Sequence, residues 1–539
     1  MTSASSAWVS GWVLEHARRT PDAPAVDSPD DRLSYGVLAR RLVAAGRVLR
    51  RLGVREGERV LVLLPNVPAT VVTSLAIEHV GAVSVEASHQ WTATQLGMVL
   101  QQIRPRVVAL ASRDARRLGP LLREAGVASA LLVHRGAAGP ALHASLSGLD
   151  VVVVTEAGEV PEVAGDEPGA PAPPRAAPSA VTLLLYTSGS TGRPRAVLQT
   201  ATNILENTRS IASYLGLTPD DRAMLILPLS YCYGRSVLQT HLYVGGSVFL
   251  DPRFMYPRVV LQALGDERCT GFAGVPLTFE LLRRQVPPEA CRVPGLRYVT
   301  QAGGAMRAET IRWARAAFHP ARLFVMYGQT EATARLAYLP PERAADKPGS
   351  IGIPIPGVEL RVVDDAGRDV AVGAEGHLVA RGPNVTPGYD DDPGETARVL
   401  RDGWLWTGDL ARCDAEGFFT VVGRAKDILK VGGHRASPAQ IESVLTEHPD
   451  VVEAAVAGVR DALMGEVPAA LAVVRSGAGT TSGELRQFCL GRLPPYLVPR
   501  FVRIARELPR NASGKVAREE VARALGEPEP APLEERRSP

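Results

Sequence analysis

A chain of 539 residues, 45% hydrophobic and 22% charged, is too long for one ordinary core and predicts two or more domains of a globular protein. Sixty basic residues against 57 acidic ones give a net charge of +3, and the absence of any basic block removes nucleic acid as an expected partner. No apolar run approaches the roughly 20 residues of a bilayer span, the start Met1-Thr-Ser-Ala-Ser-Ser has neither basic residues nor an apolar signal core, and five scattered cysteines form no close pairs; together these predict a cytoplasmic protein without a disulfide frame or zinc site.

The elements follow in chain order. Gly11 to Arg19 reads as an amphipathic helix ending at Thr20-Pro21. Glu58 to Leu64 reads as a buried strand, Val71 to His79 as a helix, and Val107 to Ala111 and Ala130 to His134 as further strands. Strands alternating with helices predict mostly parallel sheets covered on both faces. Glu156 to Ala180, rich in Pro, Ala and Gly, reads as a surface linker. Val181 to Leu185 is an apolar strand that breaks into Tyr186-Thr-Ser-Gly-Ser-Thr-Gly-Arg-Pro-Arg195. Such a run lets backbone N–H groups and hydroxyls wrap a polyanion, with Arg193 and Arg195 adding charge. It is not the common P-loop pattern, and the same residue types also form simple turns.

Val299 to Ala305 and Leu323 to Gly328 are strands running into Gly-rich turns, the place where ligands bind in open α/β sheets. From Gly352 to Ala380 the pattern changes to short strands with Pro and Gly turns, a small β-rich subdomain. Beyond Gly423, Ser437 to Leu445 reads as a helix with Ser437 as N-cap and Pro438 at its first position. Val451 to Val459 and Ala469 to Val474 read as strands, and Ser482 to Leu490 as a helix. The Pro/Glu/Arg-rich stretch 526–539 reads as a disordered tail.

Four more segments accompany the Ser/Thr/Gly run: Tyr327-Gly-Gln-Thr-Glu331, Gly403-Trp-Leu-Trp-Thr-Gly-Asp409, Gly423-Arg-Ala-Lys-Asp-Ile-Leu-Lys430 and Pro509-Arg-Asn-Ala-Ser-Gly-Lys515. In this order, from Trp12 to about Leu525, they resemble the adenylate-forming superfamily of acyl- and aryl-CoA synthetases, adenylation domains and beetle luciferases. The resemblance implies an α/β fold: a large N-terminal domain, 1–422, of mostly parallel sheets plus a small β-rich subdomain. A hinge follows at 423–426, with Lys426 at the hinge position, and then a mobile α+β C-terminal lid, 427–525.

The implied activity is ATP- and Mg²⁺-dependent activation of a fatty or aryl carboxylic acid to acyl-AMP, followed by transfer to coenzyme A. A stand-alone adenylation enzyme loading a carrier protein in trans is the alternative. A non-catalytic nucleotide-binding paralogue is a third reading, against which intact Glu331, Asp409, Arg424 and Lys515 argue. Joining two anions requires positive charge and orientation.

The resemblance carries over residue by residue. Thr187, Ser188, Gly189, Ser190, Thr191 and Gly192 form the phosphate loop, with Arg195 where the family usually has Lys. Gly303, Gly304 and Ala305 let adenine lie against backbone, and Tyr327 covers its face. Asp409 and Arg424 reach the ribose hydroxyls, with an Asx-turn the plain alternative for Asp409. Thr330 hydrogen-bonds the α-phosphate, and Glu331 is the metal carboxylate, with an N-terminal helix cap or dipole partner as its plain alternative. Lys515 bridges the acid carboxylate and the α-phosphate, where a solvated lysine is the default. Lys430 and Gly432-Gly433 serve the thiol step with the lid rotated.

Tyr231, Cys232, Tyr233, Phe272, Val275 and Ala302 suggest an apolar acyl or aryl pocket. Tyr231 stands where many members have His, as a gate or as core packing. Gln199-Thr-Ala-Thr-Asn203 lacks the family's usual His as well. No acid lies in Ser230 to Val237 to meet an α-ammonium, which argues against an amino acid substrate. Arg235 and Arg335 can each pair a second substrate carboxylate or form a structural ion pair.

Overall fold

The computed structural model describes residues 6–135, 145–161, 177–187, 194–253, 256–427, 429–431, 434–461, 465–510 and 516–526. The chain forms two compact units, Met1–Leu360 with Val379–Thr407, and Arg361–Leu378 with Gly408–Pro539.

The first unit carries two sheets. One has seven strands in the order Asp150–Thr155, Ser129–His134, Val107–Ala111, Arg59–Leu63, Val83–Glu86, Val181–Thr187, Arg195–Thr200. The first six are parallel, and the last turns back antiparallel with Thr187 opposite Arg195. Every residue of Val107–Ala111 is buried, as a parallel strand covered on both faces requires. Leu61, Leu63, Val85, Leu110 and Leu184 pack with Leu96, Leu100 and Leu118 of the covering helices Ala93–Ile103 and Ala115–Glu124 in one core.

The other sheet has nine strands, ordered Ile353–Pro354, Ala337–Leu339, Arg322–Tyr327, Tyr298–Gln301, Gly271–Gly274, Arg222–Leu225, Ser247–Leu250, Pro24–Asp27, Arg32–Ser34. Its centre is parallel and both ends are antiparallel. The α/β class with mostly parallel sheets thus holds.

The strand Val107–Ala111 and the helix Ser482–Leu490 form where the pattern places them. The helix expected from Val71 begins earlier, at Pro68, whose fixed φ and missing N–H suit a first turn. The predicted linker lies mostly outside the described residues, at 162–176, but its final residues lead into Val181–Thr187.

In the second unit, Gly465–Val474 pairs antiparallel with Val451–Asp461 and Leu429–Val431, and parallel with Val502–Ala505. Helix Pro438–Thr446 packs Ile441 and Leu445 into that core. Ser437 occupies the N-cap position but makes no side-chain cap. Its hydroxyl donates instead to the Val422 carbonyl at 2.6 Å, so a tertiary bond replaces the expected local one.

Candidate active site

The Ser/Thr/Gly run lies between two paired strands. Thr187 ends one and Arg195 begins the other; Ser188, Gly189, Ser190, Thr191 and Gly192 lie outside the described residues, as does Arg193. Arg195 is already engaged. Its Nη1 donates to Glu395 Oε1 at 2.6 Å, and its guanidinium carbon sits 6.0 Å from the Tyr389 ring centroid. Glu395 also takes Arg398.

Tyr389 is the centre of this group. Its hydroxyl donates to Glu331 Oε1 at 2.8 Å. Burial, then the neighbouring Glu331 carboxylate, push the phenol far above its ordinary range, so it stays protonated and donates. The backbone around Tyr389 ties three segments together. Leu198 N donates to Gly388 O, Asp390 N to Ala196 O, and Thr386 N to Glu331 O, all at 2.9–3.0 Å. The Asp390 carboxylate accepts from the two Nη atoms of Arg59, at 2.6 and 2.9 Å.

Glu331 sits in a three-residue 3₁₀ turn, Thr330–Ala332. The next residue, Thr333, has φ +64° and ψ −57°, and Ala334 N donates to Ala332 O at 2.7 Å. This is the rare, strained γ-turn. Three side chains hold it. Thr333 Oγ1 donates to Asn384 O at 2.7 Å. Asn384 Nδ2 donates to Ala332 O at 3.1 Å and Arg335 O at 2.8 Å. Gln199 is buried and donates through Nε2 to the carbonyls of Thr330 and Thr333.

Gly303 has φ +87°, and a Cβ added there would come within 2.4 Å of the Tyr231 hydroxyl. Tyr231 therefore lies against the Gly303 backbone, half-buried rather than sunk in the core. Gly304 and Ala305 are exposed beside it, and Tyr327 ends the strand Arg322–Tyr327 half-buried. Cys232 and Tyr233 open the buried helix Cys232–Val244, and Ala302 is buried. Val275 precedes helix Pro276–Gln285. Phe272 joins Phe279 and Phe318 in an aromatic cluster and, with Tyr233, also faces a small cavity.

Arg235 is paired within the protein. Its guanidinium pairs with buried Glu86, which also accepts from Ser74 and Ser84.

In the second unit, Asp409 and Arg424 stand opposite each other on the paired strands Trp404–Cys413 and Phe419–Arg424. Arg424 Nε lies 2.8 Å from Asp409 Oδ1. Asp409 is buried on a strand. Lys426 is exposed in the short turn Ala425–Asp427. Lys430 lies opposite Arg435 in strand pairing, its side chain outside the described set, as are Gly432 and Gly433. Lys515 also lies outside it; the flanking Arg510 and Val516 form an antiparallel bridge.

Among the described residues no three His, Cys, Asp or Glu side chains cluster as a metal cage. Mg²⁺ keeps several waters and takes one or two carboxylates plus substrate phosphates. Glu331, with one oxygen bonded to Tyr389, suits that role. Tyr389, Glu395, Gln199 and Asn384 have no local sequence signature: Tyr389 meets Glu331 across 58 residues of chain.

The AMP-binding enzyme family model matches residues 13–390, and the AMP-binding enzyme C-terminal domain model matches residues 440–515. The chain is 34% identical over 518 residues to a feruloyl-CoA synthase from an Amycolatopsis species, covering 96% of this chain and 98% of that one. It is 32% identical to an indoleacetate–CoA ligase from Aromatoleum aromaticum, with 95% and 97% covered. Its fold superposes with a TM-score of 0.80 on the O-succinylbenzoate coenzyme A synthetase of Bacillus subtilis solved with ATP and magnesium, at 27% identity over 94% of this chain and 98% of that one. The ordered segments, the sheets that carry them and full-length similarity agree, and the chain belongs to the AMP-binding enzyme family.

Proposed function

We propose that this chain is a cytoplasmic acid–thiol ligase that joins an acyl or aryl carboxylic acid to coenzyme A through an acyl-adenylate. Support comes from full-length similarity to CoA ligases together with the Glu331–Tyr389 pair beside the phosphate-loop strands. In the first half-reaction a carboxylate oxygen of the acid attacks the α-phosphorus of ATP, and pyrophosphate leaves with the electron pair of the broken P–O bond. In the second, a thiolate attacks the acyl carbon and AMP leaves.

Bound Mg²⁺ supplies charge neutralisation on the phosphates. The protein's part is positioning and electrostatics. Tyr389 holds one oxygen of Glu331 and directs the other. The γ-turn at Thr333 keeps Thr330 and Glu331 in place. Thr187 to Gly192 cradle the phosphates, and Lys515 supplies the cation that draws the acid carboxylate to the α-phosphate. Gly303, Gly304, Ala305 and Tyr327 form the adenine wall, and Asp409 with Arg424 accepts the ribose. Domain 427–525 acts as the lid about Lys426, with Lys430 serving the thiol step.

Arg195 departs from the usual lysine. Because Glu395 neutralises it, it braces Tyr389 rather than meeting phosphate. A pyrophosphate-release assay over fatty, aryl, dicarboxylic and amino acids, with and without coenzyme A, tests the reading. Turnover that requires coenzyme A on one acid class is expected. Release that stalls near one equivalent despite coenzyme A contradicts the acceptor and favours a carrier protein.

A further inference from the structure

Two arginines are fully buried among the described residues, Arg235 and Arg335. Arg235 has its carboxylate in Glu86. Arg335, 2% exposed, has none: no carboxylate of the described residues lies within 4.0 Å of it. Its Nε donates to the Met326 sulfur at 3.3 Å and its Nη1 to the Ala334 carbonyl at 3.2 Å. The Tyr214 hydroxyl donates to the same sulfur at 3.0 Å, and the guanidinium carbon stands 4.2 Å from the Tyr233 ring centroid. Every one of these partners is neutral.

A guanidinium does not shed its proton in a protein and offers five N–H donors. A buried charge without a counter-ion is costly unless something compensates it. One aromatic face gives part of that compensation, and a thioether is a weak acceptor.

The arginine is also held firmly. Asn207 Nδ2 and Asn384 Nδ2 both donate to its carbonyl, at 3.0 and 2.8 Å, directly after the strained turn at Thr333. That turn sends Glu331 to Tyr389 and Arg335, four residues on, to Tyr233. Beside Arg335 lies a cavity of about 20 Å³ with Tyr233, Ser236, Thr240, His241 and Phe272 in its wall. That is enough for one water, or for one ligand oxygen in its place.

The hydroxyls there are already bonded. Tyr233 pairs with Thr300, Ser236 donates to Tyr233 O, and Thr240 donates to Ser236 O. Arg335 is left as the group with charge to give. Two of the expected pocket residues, Tyr233 and Phe272, line the same cavity.

Resting on the ligase reading, we infer that Arg335 is the counter-ion for a second anionic group at the end of the acid remote from its reacting carboxylate. The substrate class is then a dianionic acid with an apolar or aromatic middle.

The test uses matched probes, hexanoate against adipate and benzoate against terephthalate, on the full chain. Two readouts are taken: kcat/KM for pyrophosphate release, and calorimetric binding of the acid with α,β-methylene-ATP present. The dianionic member of a pair is expected to be preferred about 10²-fold. Arg335→Met is expected to remove that preference, and Arg335→Lys to keep part of it. Preference of the wild type for the monoanionic member, or an unchanged ratio in folded Arg335→Met, overturns the inference. If the Met variant does not fold, the wild-type ranking and the Lys variant decide. Absence of pyrophosphate release with every acid would refute the ligase reading, while the calorimetric ranking would still decide for or against Arg335.

Discussion

Tyr389 donates its hydroxyl to Glu331 at 2.8 Å, joining the segment after Pro387 to the turn that carries the proposed metal carboxylate. Groups that orient a metal ligand typically change metal affinity 10–100-fold when removed. Tyr389→Phe should raise the Mg²⁺ concentration for half-maximal adenylation about 10-fold. At saturating Mg²⁺ the rate should be nearly normal. An unchanged Mg²⁺ titration would show that the bond orients nothing.

The two lysines separate the half-reactions. Lys515→Ala should reduce acid-dependent ATP–pyrophosphate exchange by about 10²–10³-fold, the scale of losing one preorganised electrostatic group. ATP binding by calorimetry should be largely kept. Lys430→Ala should preserve acyl-adenylate formation in single-turnover assays and slow thioester formation. Equal loss of both steps in the Lys430 variant would remove the two-pose assignment.

Gly303→Ala would place its methyl carbon 2.4 Å from the Tyr231 hydroxyl, at a positive φ. A raised KM for ATP is expected. Adding Tyr231→Phe removes the nearest atom and should restore part of the loss. A double variant no better than the single would leave the backbone strain at Gly303 as the whole effect.

Arg235 is predicted to matter for folding rather than chemistry. Arg235→Met leaves Glu86 buried with only serine donors, and breaking a buried pair costs about 3–5 kcal/mol. Urea denaturation should show that loss, and the Arg235→Met/Glu86→Leu double variant should regain much of it. A change confined to the KM of the acid would instead place Arg235 at the substrate.

Acid sensitivity should have a contribution from Asp221. Burial works to raise its pKa. Hydrogen bonds from Thr270, Arg297 and Thr218 overcome that and hold it below the ordinary 3.8. A depressed carboxylate stabilises the fold above its unfolded pKa, and the gain disappears as pH falls through the lower folded value. The stability difference between wild type and Asp221→Asn should be largest near pH 6 and shrink below about pH 4. A difference independent of pH would contradict the sign.

Much of the fold was legible because burial is written in composition. The apolar run Val107–Ala111 has one reading, a strand covered on both faces, and it forms there. The five ordered segments likewise mark where backbone turns at strand ends. Tyr389 and Glu395 were not legible. Their partners Glu331 and Arg195 are distant in sequence, and nothing around Gly388-Tyr389-Asp390 signals a contact. Arg235 and Arg335 read alike in sequence. Only tertiary packing distinguishes the one that has Glu86 from the one that has none.

The most direct measurement follows the acid's own oxygen. With both carboxylate oxygens labelled with ¹⁸O, one turnover with ATP and coenzyme A is analysed by mass spectrometry. Attack at the α-phosphorus predicts one ¹⁸O in AMP, one in the thioester and none in pyrophosphate. Label in pyrophosphate or inorganic phosphate, or AMP without label, would contradict an acyl-adenylate and with it the proposed ligase.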